Sequence, residues 1–384
     1  MSVLQRYFTV QIVKAVFFVL LAFLALFAFF DLVGEMNSIG RGGYKFQHAF
    51  FYILLNMPGY TYELMPVAVL IGTIYILARF AANSEFTIMR VSTLSTFQAI
   101  RMLIRIGAIF LVFTVVLGEL ITPHTSTQAL EFKNRMMQRD IRIRSQFRSG
   151  IWGKDTIRAS GHEGDIVGAR FINIGSISAD RSMRDILFYE FDHGQQLSRV
   201  VAAEKGVYTG SQQWELSGVR EDRLIVPKKA AEARFPEFAP EIVSVQYDTM
   251  MLVSDLTPDI LTVLAVDATR MSAYDLFVFN RHLEASKQDA AAYKIAFWKK
   301  IVYPFSVFVM MALALPFAYL HFRTGGISLK IFAGIMIGVL FMLLNSLFSH
   351  LGLLNTWPAF LSAVLPSIFF LFFACGLLWW VERR

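Results

Sequence analysis

The chain has 384 residues, 55% hydrophobic and 17% charged, and its 36 Lys and Arg against 29 Asp and Glu give a formal net charge of +7. Its mean hydropathy is +0.51 and its pI about 9.4. Soluble globular chains average about 45–50% apolar residues; the excess here is confined to the two ends, which excludes one large soluble core. The lone cysteine, Cys375, excludes an internal disulfide. With no basic residues interleaved with aromatics in an RNA-reading pattern, the positive charge reads as membrane-boundary charge and not as a nucleic-acid footprint.

Crossing hydrocarbon takes roughly 20 apolar residues, and about six stretches qualify. Ala15 to Val33 is too long for a signal-peptide core and lacks a small-x-small cleavage site, so it is predicted to stay as the first span. The second runs from Met57 to Ala78 around Pro58 and Pro66, and the third from Ile104 to Ile121. Between them, Ser84 is placed to cap a helix over about 84–95, with Glu85 in its first turn facing the positive end of the helix dipole. Phe86 and Met89 give that helix an apolar side. Two readings stand: a helix resting on lipid headgroups, or one docked in a groove of a cytoplasmic partner with Glu85 or Arg90 paired to opposite charge.

From Pro123 onward no run is long enough to cross a bilayer until the fourth span. A polar helix is predicted to continue span three over Gln128 to Phe147. Gly150–Asp155, Arg170–Ile174, Ile186–Phe191, Arg199–Ala202 and, more weakly, Trp214–Val219 read as short strands between turn clusters such as Asp192-His-Gly194. That pattern suggests an antiparallel sandwich or jelly roll. Ser272 to Ala285 reads as a helix opened by Ser272-x-x-Asp275, an imperfect capping box, with Leu276, Phe279 and Leu283 on one face. Spans four to six follow at Ile301 to Leu320, Ile331 to Phe348 and Phe360 to Val381. The expected architecture is an α+β membrane protein. Its domains are 1–122 (spans one to three), 123–297 (a jelly-roll-like domain with flanking helices) and 298–384 (spans four to six).

Lys and Arg in the short loops set the orientation. With both termini inside, the inner side receives Arg6, Lys14, Arg79, Arg90, Arg101, Arg105, Arg323, Lys330, Arg383 and Arg384. The outer short loops receive only Arg41 and Lys45. The middle domain is therefore expected outside, on the periplasmic face in a bacterium.

Motifs of catalysis are missing. His162-Glu163 lacks the second His of a zinc-protease motif, because position 166 is Ile, and Gly325-Gly326-Ile-Ser-Leu-Lys330 has the wrong spacing for a P-loop. The chain is expected to be no enzyme and to hold no cofactor or metal, so any uphill transport would draw its energy from a partner.

Outer cations are the second clue. Arg41 and Lys45 follow span one, Lys133, Arg135 and Arg139 follow span three, and Lys294, Lys299 and Lys300 precede span four against the topological rule. Singly, such residues snorkel to the interface; as a ring they would suit the oxygens of a phosphorylated lipid. Within the spans, Glu63, Glu119 and Asn345 are polar outliers. Glu119, near the outer end, is expected to be solvated or structural. Phe27, Phe30, Phe332, Phe341 and Leu344 would line an acyl-chain cavity or simply pack the bundle.

Several stretches in order along the chain resemble the LptF/LptG family, the permeases of the lipopolysaccharide exporter. They are Arg6-Tyr7, Ser84-Glu85, Gly118-Glu119 followed by Pro123, Gly150-Ile-Trp-Gly-Lys-Asp155, Gln288-Asp289-Ala290, Phe297-Trp298 through Met310-Met311, and Leu365-Pro366-Ser367. The Trp-x-Lys-Asp and Trp-to-Met-Met stretches resemble the LptG branch more than the LptF branch. The resemblance implies six spans, a periplasmic jelly-roll-like domain between spans three and four, and an inner-membrane location. It also implies pairing with an LptF-type permease, an LptB-type ATPase dimer that binds ATP and Mg, and an LptC-type membrane-anchored protein. Lipopolysaccharide would enter sideways from the outer leaflet, between the first and fifth spans, and leave through the β-domains to a periplasmic bridge. By position Glu85 is the coupling carboxylate, with Phe86, Met89 and Arg90 on the same helix, and Lys133 is a phosphate contact. Family members can carry clustered lysines at the outer end of span one. Here Asp31, Gly34, Glu35, Asn37 and Ser38 stand there, which shifts the headgroup load toward Lys299 and Lys300. The permease of another lipid or lipoprotein exporter, and a membrane-tethered β-domain scaffold, are the alternatives.

Overall fold

The computed structural model describes residues 3–41, 43–83, 85, 96–137, 151–160, 163–177, 182–192, 194, 196–210, 212–225, 241–254, 256–258, 268–285, 290–319, 327–354 and 357–383. Six of its helices are long and apolar enough to cross a membrane, three before and three after a sheet. Helix α1 (Val3–Glu35) starts well before the predicted first span, since the polar residues at its start are good helix formers. Helix α2 (Phe46–Ala82) follows, with Pro58 and Pro66 inside it. Helix α3 (Thr96–Val116) passes through one π-helical turn (Leu117–Ile121) into α4 (Thr122–Met136), which carries Pro123 in its first turn. The pyrrolidine ring at Pro123 cannot donate to the helical ladder. The wider turn just before it carries Glu119.

After the sheet come α5 (Ala273–Ala285) and α6 (Ala291–Val302). A tight 3-10 turn at Tyr303–Phe305 carries Pro304 and leads to α7 (Ser306–Ala314) and the short α8 (Pro316–Tyr319). Helices α9 (Ile327–Leu354) and α10 (Ala359–Glu382) complete the bundle.

The second span is the most enclosed of the six and the first is the least. Phe8, Ile12, Val16 and Leu20 form the buried stripe of α1, about one helical turn apart. Their seat is Gly72 on α2: a Cβ there would lie 2.7 Å from the backbone nitrogen of Val16. On its other sides α1 leaves Phe17, Phe18, Leu21, Phe29 and Phe30 exposed. Apolar surface of this kind is stable against lipid or another apolar helix and not against water.

The six strands are β1 (Ile151–Ser160), β2 (Glu163–Ile177), β3 (Met183–Asp192), β4 (Leu197–Gly210), β5 (Gln213–Ile225) and β6 (Glu241–Val253). They form one antiparallel sheet in the order β1-β2-β3-β4-β5-β6. The five predicted strands are present and longer than predicted; β6 was missed. The expected α+β class is present as apolar helices and an antiparallel sheet. The described strands run as a meander, because each follows its sheet neighbour in sequence and the first four connections are short.

The sheet rolls over its own core. Ile172, Ile174, Ile186, Phe188, Val201, Val219 and Trp214 are buried on one face together with Leu252 and Leu256. Leu256, just past β6, packs on Gly153 of β1, and its carbonyl accepts the indole N–H of Trp214 on β5 at 2.8 Å. Arg170 of β2 donates to the carbonyl of Val253 at the end of β6, also at 2.8 Å. Strands at opposite edges in sheet order thus meet across the interior.

Candidate functional site

At the cytoplasmic end predicted for coupling, Glu85 is described, whereas Phe86, Met89 and Arg90 lie outside the described residues. The carboxylate of Glu85 accepts the hydroxyl of Tyr7 at 3.3 Å through Oε2 and the amide of Asn83 at 3.1 Å through Oε1. Asn83 is the C-cap of α2, its backbone N–H bonding back to Arg79 O. Tyr7 stacks on Phe80, their ring centroids 5.5 Å apart.

The structure gives the six cations assigned to an outer phosphate ring different surroundings. Arg41 and Lys45 are exposed. Arg135 is exposed and lies 3.4 Å from Glu131 one turn earlier on α4. Lys133 is turned inward: its Nζ is 2.5 Å from Glu35 at the end of α1 and lies over the Tyr52 ring at 4.7 Å. Lys299 and Lys300 were placed just outside span four; α6 instead carries both within the helix that becomes that span. Lys299 is partly buried, and Lys300 is only 6% exposed. The Lys300 ammonium has no hydrogen-bond partner among the described residues, sits over the Tyr62 ring at 4.7 Å, and feels the carboxylates of Glu119, Glu63 and Asp275. A cation so enclosed balances internal negative charge.

Lys300 belongs to a polar junction of four elements that the sequence did not reveal. Tyr62 of α2 faces the Tyr303 ring at 5.3 Å, and the Tyr303 hydroxyl donates to the carbonyl of Glu63 at 2.5 Å. Gly118, in the π-helical turn, lies under Tyr62: a Cβ there would come within 2.6 Å of the ring. The next residue, Glu119, accepts the backbone N–H of Ala273 at 2.9 Å. It therefore satisfies one of the free N–H groups that open α5. Ser272 completes the cap by accepting the N–H of Asp275 at 3.1 Å and donating to its side chain at 2.6 Å. Glu119 thus takes a structural role, joining span three to a helix that follows the sheet. Nearby, Arg270 bonds the side chain of Asn56 on α2 and lies 5.7 Å from the Tyr60 ring centre. Polar and aromatic residues at 60, 62 and 63 inside a span were the available signal.

The five residues proposed for an acyl cavity divide between the bundle core and its open faces. Phe341 is only 1% exposed and packs in the bundle core against Tyr303 and Phe370. Phe27 packs on Tyr60, and Leu344 is partly buried at the same core. Phe30 and Phe332, 63% and 58% exposed, lie on the open faces of α1 and α9. Both helices pack on α2.

The sheet interior carries a row of charge the sequence reading did not single out. Asp155, Arg170, Glu190 and Arg199 stand directly opposite one another on β1 to β4. Arg170 bonds Glu190 at 2.7 Å and Asp155 at 3.3 Å; Arg199 bonds Glu190 at 2.5 Å and Glu221 at 3.1 Å. Burial alone would raise the Glu190 carboxyl, but the Arg199 hydrogen bond and the charges of Arg170 and Arg199 outweigh it and hold the group below the usual carboxylate range. The hydrogen bond from Arg223 does most to hold Glu221 low, with Arg199 adding to it against burial.

A family model described as lipopolysaccharide export system permease LptF/LptG matches residues 6–381. The chain is 28% identical over all 384 residues to the lipopolysaccharide export system permease protein LptG of Escherichia coli K12, covering 99% of that protein. It is 26% identical over the same span, again covering 99% of the relative, to the protein of the same name from Haemophilus influenzae. With three apolar helices on each side of a sheet in sequence and a family match running almost end to end, the chain belongs to the LptF/LptG family of lipopolysaccharide export system permeases.

Proposed function

We propose that this chain is an inner-membrane permease subunit that draws lipopolysaccharide from the outer leaflet and passes it toward a periplasmic bridge. The observation that carries the reading is the family match over residues 6–381 on a chain with three apolar helices on each side of a sheet. Its partners are an LptF-type permease, an LptC-type anchored protein and an LptB-type ATPase dimer, which binds the ATP and Mg. Both termini are cytoplasmic and the sheet is periplasmic, as the Lys and Arg bias supports. The rolled sheet, with its apolar interior, serves as one module of a jelly-roll-like conduit for acyl chains.

Division of labour follows from energetics. Bringing a lipid chain out of hydrocarbon costs about 0.8 kcal/mol per CH₂, far beyond thermal release for a multi-chain lipid, and this sequence carries no P-loop motif of its own. Glu85, with Phe86, Met89 and Arg90, takes up the ATPase stroke. Arg41, Lys45, Arg135 and Lys299 supply headgroup contacts, and Lys133 joins them when its bond to Glu35 opens.

The test is affinity purification of the detergent-solubilised chain with identification of co-purifying proteins and lipids. An ATPase, a second permease and lipopolysaccharide are expected. A chain that brings down no ATPase is a scaffold, and thiol labelling that finds residues 151–253 on the cytoplasmic side overturns the export direction.

A further inference from the structure

The first span and the coupling carboxylate are tied together by a single hydroxyl. Tyr7 lies in the second turn of α1, and its OH reaches Glu85 at 3.3 Å across 78 residues of sequence. The ring itself is held independently. It stacks on Phe80 with an interplanar angle of 23°, and Phe80, fully buried in the last turn of α2, also packs against Phe8 at 4.9 Å. A phenylalanine at position 7 would keep all of that packing. What the tyrosine adds is one donor, aimed at Glu85.

The second oxygen of Glu85 is held by Asn83, at the cap of α2. Among the described residues each carboxylate oxygen receives one hydrogen bond, and an ionised carboxylate offers about four lone-pair directions. The further directions are where a cationic group on another protein would bind. Two donors from two helices fix the rotamer in which those further directions point. The same end of α1 is also tied to α3, because the side chain of Gln5 accepts Arg105 at 2.7 Å. A displacement of Glu85 is thus passed to the first span, whose outer faces are the least covered in the bundle.

From this geometry we infer that Tyr7 is the positioning residue for Glu85, orienting its carboxylate for the ATPase and linking its movement to the first span. The inference rests on the coupling reading of Glu85 given above. It assigns to Tyr7 no contact with substrate or nucleotide.

The experiment uses the exporter complex containing this chain, reconstituted in proteoliposomes, and measures lipopolysaccharide released per ATP hydrolysed at equal amounts of assembled complex. Tyr7→Phe is expected to leave assembly and melting temperature unchanged and ATP turnover within about twofold. It should lower the release-to-hydrolysis ratio about fivefold, the factor that corresponds to about 1 kcal/mol for a solvent-exposed hydrogen bond. Glu85→Ala should lower the ratio further, and Tyr7→Phe added to Glu85→Ala should lower it no more. A purely structural role for Tyr7 would give additive losses and a lower melting temperature. If Glu85→Ala is impaired while Tyr7→Phe matches the unmodified chain, or if the two losses add, the inference about Tyr7 is wrong and the coupling reading stands. A Glu85→Ala complex with a normal ratio overturns both.

Discussion

Removing the carboxylate of Glu119 should loosen α5 from span three without unfolding the protein. In the structure Glu119 accepts the Ala273 N–H at 2.9 Å, and it is one of three carboxylates that face the buried Lys300. A hydrogen bond to a charged group contributes about 1.5–3 kcal/mol. A negative charge at a helix N-terminus adds about 0.3–1 kcal/mol. Water reaching Ala273 recovers part of this, so Glu119→Ala should cost about 2–3 kcal/mol at the junction. Local opening that governs amide exchange would then rise about 30- to 150-fold over residues 273–285. Glu119→Gln keeps an acceptor and loses only the charge, and should raise exchange about fivefold, corresponding to about 1 kcal/mol. Hydrogen exchange read by mass spectrometry on the purified chain in detergent, with strand β4 as the internal reference, measures both. Unchanged protection of residues 273–285 in Glu119→Ala, or an equal rise in β4, would refute the argument that Glu119 is the local tie.

Gly72→Ala places a Cβ 2.7 Å from the backbone of Val16, where no side-chain rotation relieves the clash. Overpacking of this kind costs about 1–3 kcal/mol, so thermal unfolding in detergent should begin several degrees lower, and an unaltered melt would show that α1 shifts freely on α2. In the sheet, Glu190 and Glu221 are held below their ordinary value of 4.5. Their contribution is fully present above about pH 4.5 and is lost as pH falls through the lowered folded values. Arg170→Leu breaks a buried pair, costs about 3–5 kcal/mol, and should move the loss of near-ultraviolet circular dichroism on acidification to higher pH; an unmoved acid midpoint contradicts the ion-row account.

Much of the architecture was legible because it follows from local pattern. Apolar length alone marks a span: five of the six predicted stretches lie inside an apolar helix, and the fourth does so through Tyr319, with Leu320 outside the described residues. The helix opened by Ser272-x-x-Asp275 formed as its cap predicts, with Leu276, Phe279 and Leu283 buried together. Strand β6 escaped because it presents no consistently buried face: Ile242, Val243, Tyr247 and Met251 are all exposed. Its alternation, Val243-Ser-Val245-Gln-Tyr247-Asp248, was the signal available in the sequence.

By itself the amino-acid sequence determined that this protein has two sets of three spans around a strand-rich middle, since hydrophobic length and strand pattern are properties of neighbouring residues. Only the tertiary structure decided what each charge does. Lys133 meets Glu35 across 98 residues, Glu119 meets the start of α5 across 154, and Tyr7 meets Glu85 across 78. Composition could count those cations and carboxylates. Whether a lysine faces a lipid phosphate or a buried carboxylate depends on which helices pack side by side, and that is set by close approaches such as Gly72 on Val16 and Gly118 on Tyr62.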